Sequence, residues 1–223
     1  MNDLAKYLDH TLLKADATPE QIAVLCTEAK QYGFASVCIH SCHVPLAAAQ
    51  LEGSSVAVCT VVGFPLGAMQ TASKAFEAKT AIAEGADEVD MVLNIGWLKA
   101  GESEWVKNDI SRVKEACGDK LLKVILETAL LDQEEIVLAC RLAMEAGADF
   151  VKTSTGFSAG GATVEDVRLM KQTVGERMQV KASGGIRDTE TARTMIEAGA
   201  SRLGVSAGVA IVEGSKFHAE GGY

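Results

Sequence analysis

The chain has 223 residues, 48% of them hydrophobic and 23% charged, with a formal net charge of −9. That length and mix suit one α/β domain, and so acidic a chain lacks the clustered Lys and Arg that a nucleic acid partner needs. No apolar run reaches the roughly 18 residues of a membrane span, and the opening segment MNDLAKYLDHTLL carries acids where a secretory signal carries bases, so cytoplasm is the expected compartment and no membrane partner is expected.

In chain order, short β-rich runs are predicted at 7–11, 35–40, 56–62, 87–93, 121–127, 150–154, 178–182 and 202–206. Helical patterns lie between them. One starts with Thr18 as N-cap and Pro19 at the first helical position. Another starts on Thr163 with Asp166 three residues on, and a third on Asp188. A helix end, a glycine, a small residue and then a strand recur around Gly33, Gly85, Gly147 and Gly199. Glycine suits a helix C-terminus, where φ turns positive. Each interval holds two βα units of about 30 residues. Strict alternation means a parallel sheet, and eight strands close it into a (β/α)8 TIM barrel spanning 1–223. An open doubly wound sheet is the rival, but its GxGxxG fingerprint is missing. The Gly-rich tail, 213–223, is predicted to be mobile.

Six cysteines are scattered without a CxxC pair. Cys38 and Cys42, with His40 and His43, have a zinc-like look, yet no second ligand pair follows. Free thiols in a reducing cell are the expected state, and no metal site is assigned.

Side chains on a barrel strand alternate between lumen and helix layer. Val89, Met91 and Leu93 should then face the helices, which turns Glu88 and Asp90 inward. Val124 and Leu126 should face out, and Lys123 and Glu127 in. Lys152 shares a face with Phe150 and Ser154, and Lys181 with Gln179 and Ser183. Asp90, Lys123, Lys152 and Lys181 are thus predicted to converge. Cys38 is predicted to point inward near them. Two readings of the convergence stay open here. One is a structural ion-pair layer inside the barrel. The other is an amine nucleophile, freed by burial and a neighbouring cation, with a carboxylate to move protons. The loops Ser183-Gly184-Gly185-Ile186-Arg187 and Gly204-Val205-Ser206 follow strands seven and eight, where this fold holds phosphates. A tight turn is the plain alternative for either loop.

Four stretches, LDHTLL at 8–13, GADEVDMV at 85–92, GADFVKTSTG at 147–156 and VKASGGIR at 180–187, resemble the deoxyribose-phosphate aldolase family. Their order and spacing match across nearly the whole chain. The resemblance implies a class I, metal-independent aldolase on a TIM barrel. It implies reversible cleavage of 2-deoxy-D-ribose 5-phosphate to acetaldehyde and D-glyceraldehyde 3-phosphate, a step of deoxyribonucleoside breakdown. It implies Lys152 as the Schiff-base lysine, Lys181 as the cation that tunes it, and Asp90 in the proton relay. Gly156, Ser183, Gly184, Gly185, Arg187, Gly204 and Ser206 fall where the phosphate loops lie. Tyr223 is carried over as a tail hydroxyl that assists proton transfer. No cofactor is implied, the partners are small aldehydes and phosphosugars, and barrels of this kind are often homodimers. Phe157 stands where some relatives have Lys, and Ala207 where some have Ser. Each removes a polar contact near the phosphate. Two rivals remain: another phosphosugar enzyme on this barrel, such as an isomerase, and a binding protein without catalysis.

Overall fold

Eight parallel strands hydrogen-bond in sequence order, and the eighth returns to the first to close a barrel. The computed structural model describes residues 4–215. Its elements run β1 (Leu8–Leu12), α1 (Pro19–Tyr32), β2 (Ser36–Ile39), α2 (Val44–Leu51), β3 (Ala57–Val62), α3 (Thr71–Ala83), β4 (Glu88–Val92), α4 (Ile95–Lys99), α5 (Ser103–Cys117), β5 (Leu121–Ile125), α6 (Gln133–Glu145), β6 (Phe150–Lys152), α7 (Val164–Val174), β7 (Gln179–Ser183), α8 (Thr189–Glu197), β8 (Arg202–Val205) and α9 (Gly208–Glu213).

Local chemistry sets the boundaries. Thr18 and Gln21 form a reciprocal capping box at the start of α1. Thr163 accepts from the Asp166 N–H at the start of α7, and Asp188 from the Thr191 N–H at the start of α8. Gly33, Gly85, Gly147 and Gly199 all have positive φ at the predicted helix ends. The main core is the layer between strands and helices, and it includes Val89, Met91 and Leu93 of the β4 segment, Val124 and Leu126 after β5, and Val180 and Ala182 of β7. Leaving these in water would cost on the order of 1.5–3 kcal/mol for each large side chain.

Most strand ends fall within one residue of expectation, and three boundaries differ by more than that or in kind. Strand β5 ends at Ile125, because Glu127 adopts φ 58, the left-handed region, and turns the chain. Strand β6 ends at Lys152, and the chain leaves to build a loop over 153–163. The stretch predicted as a mobile tail begins instead with a helix end: Glu213 closes α9, Gly214 caps it in the left-handed region, and Tyr32 donates its hydroxyl to the Glu213 carboxylate. Tyr223 lies outside the described residues. Among the described residues, no helix is long and apolar enough to cross a membrane.

Candidate active site

The predicted convergence is met in the lumen. Three strands deliver lysines to one carboxylate: Lys123 Nζ lies 2.8 Å from Asp90 Oδ1, while Lys152 and Lys181 lie 2.9 and 2.7 Å from Asp90 Oδ2. Register explains the meeting. Asp90 pairs with Lys123 across β4 and β5, and Lys152 with Lys181 across β6 and β7, so each pair shares a level and a face.

The charges form a closed ring. From Asp90 it runs to Lys123, then 2.6 Å to Glu88. Glu88 meets Arg202 at 2.8 Å, and Arg202 Nε donates to Asp9 at 2.7 Å. Asp9 meets Lys181 at 2.5 Å, and Lys181 returns to Asp90. Three carboxylates thus alternate with three cations. Lys152 is a fourth basic group, attached to the ring at Asp90 alone among its ion pairs in the described residues.

Burial would push the Asp90 carboxyl up, but Lys123, Lys152 and Lys181 outweigh it and hold it well below the ordinary carboxylate range. Burial would likewise push Lys181 down, yet Asp9 and Asp90 hold it well above an ordinary lysine. Lys181 is therefore a fixed cation on the oxygen that Lys152 also uses. Cys59 donates its thiol to Asp90 Oδ1 at 3.2 Å; burial, the bond to Cys38 and Asp90 together raise its pKa well above the thiol value.

Asp9, Arg202 and Cys59 were not singled out in the sequence. Period-two alternation holds the signal for Arg202, since Leu203 and Val205 belong to the outer core. On β1 the outward position beside Asp9 is His10, itself polar and bonded to Glu28 at 2.7 Å, so the pattern is masked.

Beside the lumen mouth lies a cavity of about 310 Å³, lined by Gly156, Gly161, Gly184, Gly185, Arg187 and Ser206 among others. Five of the seven predicted phosphate residues are there. A Cβ on Gly161 would stand 2.4 Å from the Gly184 carbonyl oxygen, so the two loops can only approach this closely as glycines. Ser183 and Gly204 do not line the cavity. Ser183 is buried between strands, donating its hydroxyl to the Ser154 carbonyl. Gly204 is a spacer: a Cβ there would lie 2.8 Å from Ser183 Cβ and 3.1 Å from Lys181 Cε. Gly204→Ala is expected to displace Lys181 and lower turnover about tenfold or more while the apparent affinity for a phosphorylated substrate changes less; steady-state kinetics on the variant checks this.

Glu127, predicted to point inward, is buried beyond the end of β5 and serves as a brace for the next loop. Its carboxylate accepts from the Thr155 N–H at 3.3 Å and from the Thr155 hydroxyl, and Thr155 in turn accepts from the Phe157 N–H at 3.0 Å. The loop after Lys152 is held by these bonds. The zinc-like group does not assemble: Cys38 is buried against Cys59, Cys42 is exposed, and His40 Nε2 bonds to the Leu13 carbonyl.

Residues 4–214 match the family model described as DeoC/LacD family aldolase. A deoxyribose-phosphate aldolase from Brevibacillus brevis is 62% identical over 98% of this chain and 99% of its own length. One from Clostridium novyi is 60% identical over 96% of this chain and 97% of its own. The tetrameric deoxyribose phosphate aldolase from Aeropyrum pernix superposes with a TM-score of 0.87 at 34% identity, covering 95% of this chain and 90% of that one. With a closed barrel, a ring of buried charge and a lysine hung on it, the chain belongs to the DeoC/LacD family of aldolases.

Proposed function

We propose that this chain catalyses the reversible cleavage of 2-deoxy-D-ribose 5-phosphate to acetaldehyde and D-glyceraldehyde 3-phosphate, through a Schiff base on Lys152. The observation that carries the reading is the charge balance of the lumen. Asp9, Glu88 and Asp90 are matched by Lys123, Lys181 and Arg202, so Lys152 is the one amine whose charge the ring does not need. A structural ion-pair layer would have no use for a fourth cation in a buried site.

In the condensation direction, Lys152 attacks acetaldehyde as the free amine and the carbonyl oxygen leaves as water. The resulting iminium draws electrons from the adjacent methyl. Asp90, held ionised, and Lys181, held protonated, orient the water that removes a methyl proton, giving an enamine. The enamine carbon bonds to the carbonyl carbon of the phosphorylated aldehyde, whose oxygen takes up a proton. Water then cleaves the iminium and frees Lys152. The phosphate is placed in the cavity of Gly156, Gly184, Gly185, Arg187 and Ser206, where backbone N–H groups and one guanidinium suit a dianion. No metal or organic cofactor enters these steps.

The first assay incubates the protein with 2-deoxyribose 5-phosphate and measures both aldehydes. Equal release of the two, unchanged by EDTA, is expected. Release that stops in EDTA contradicts the metal-free route. Arg187→Ala is expected to raise KM for the phosphosugar about tenfold, the loss of one charge-assisted contact, with kcat little changed. A fall in kcat at constant KM contradicts the phosphate assignment.

The six free thiols support a reducing cytoplasm as the proposed location. A homodimer is the proposed assembly, which mass measurement in solution tests.

A further inference from the structure

Two aromatic rings meet over the mouth of the barrel. Phe64 follows β3 and Phe157 follows β6, strands separated by two others around the closed sheet. Their ring centroids are 5.2 Å apart and their planes cross at 87°. His40, after β2, meets Phe64 edge-on at 6.0 Å. Phe64 rests on Leu13, Cys38, Cys59 and Val61. These line the lumen: Cys59 reaches Asp90, and Val61 is the register partner of Asp90. The lumen is therefore two-sided. Strands β4 to β7 present Asp90 and the lysines, while β2 and β3, with Leu13 just after β1, present an apolar patch on which Phe64 sits.

Lys152, at the end of β6 and five residues before Phe157, is only 3% exposed, while Phe157 itself is 47% exposed. The loop carrying Phe157 is pinned by Thr155 and Glu127. A carbonyl compound that reaches Lys152 must place its carbon chain between the charged side, which an alkyl group gains nothing by touching, and the apolar patch. Length and branching there run into the rings.

We propose that Phe64 and Phe157 form a size filter for the aldehyde that becomes covalently bound, admitting a two-carbon aldehyde to Lys152 and turning away longer, branched ones. This rests on Lys152 as the Schiff-base lysine. The filter acts on the approach to the amine and on the room left for the iminium substituent. Phe157 itself does not line the phosphate cavity, although Gly156 and Ser158 on either side of it do. One methylene too many in a packed apolar pocket changes discrimination by about 10–200-fold.

The test compares acetaldehyde with 3-methylbutanal at low concentration in the presence of sodium borohydride. The amine nitrogen bonds the carbonyl carbon, water leaves, and hydride from borohydride reduces the iminium to a stable secondary amine. Peptide mass spectrometry then reads the initial rates of ethyl and 3-methylbutyl attachment to Lys152. The unaltered protein is expected to favour the ethyl adduct strongly. In Phe157→Ala the ratio of branched to ethyl labelling is expected to rise about tenfold or more, and in Phe64→Leu by less. A purely structural role lowers both rates together and leaves the ratio fixed; that result, with ethyl labelling of Lys152 intact, overturns the filter. Absence of any ethyl adduct on Lys152 in the unaltered protein overturns the Schiff-base reading instead, and the filter with it.

Discussion

Lys152→Ala is expected to abolish turnover, by at least about 10⁴-fold in kcat, while leaving the protein folded. The two halves of that result come from the same geometry. No other amine in the lumen is free to replace Lys152, because Lys123 and Lys181 each bridge two carboxylates. Asp90, on losing Lys152, still has Lys123 on one oxygen and Lys181 on the other. The ring stays closed, so the thermal unfolding midpoint should fall little. Kinetics and calorimetry on the same preparation separate the two effects. Retained activity in a folded variant would move the chemistry to another lysine.

Asp90→Asn should do the opposite and damage both. The amide keeps the shape but removes the charge that three buried lysines share. Breaking a buried ion pair by removing one partner costs about 3–5 kcal/mol. On the proposed mechanism, loss of the carboxylate that moves protons adds about 10²–10⁴-fold in kcat. The pH dependence follows from the signs. The Asp9 and Asp90 pKa values are lowered in the fold, so their stabilising effect is present above the unfolded carboxylate pKa and is lost as pH falls through the lowered folded values. Lys123 and Lys181 are raised, so theirs is present below the unfolded lysine pKa and is lost as pH rises through the raised folded values. The unaltered protein should therefore hold a flat stability plateau between about pH 4 and 10 as far as this ring is concerned. Asp90→Asn should lower that plateau. Denaturant unfolding at pH 5, 7 and 9 measures it, and an unchanged midpoint at all three would show that the ring does not contribute as the geometry requires.

The barrel was legible because its signals are local and repeated: capping residues, a glycine at each helix end, and strands whose apolar positions alternate. The same period-two rule placed Glu88, Asp90, Lys123, Lys152 and Lys181 inside. It did not show that they close into a ring, because Asp9 and Arg202 lie at the two ends of the chain and meet only when β8 pairs with β1. Gly204 looked like a phosphate residue because a glycine late in a strand and two residues before a serine suits both an anion loop and a spacer, and only the positions of Ser183 and Lys181 decide. The left-handed turn at Glu127 carries no glycine or asparagine to announce it. The ring contact between Phe64 and Phe157 joins distant loops whose paths no local pattern specifies. Tyr223 lies outside the described residues, and its part in proton transfer stays a proposal.

The most direct test of the central claim is borohydride reduction with and without acetaldehyde, followed by peptide mass spectrometry of every lysine. A donor-dependent ethyl group on Lys152 alone is the expected result, and it fixes the donor, the covalent chemistry and the nucleophile together. An ethyl group on Lys181 or Lys123 in its place contradicts the assignment of Lys152 as the amine the charge ring leaves over.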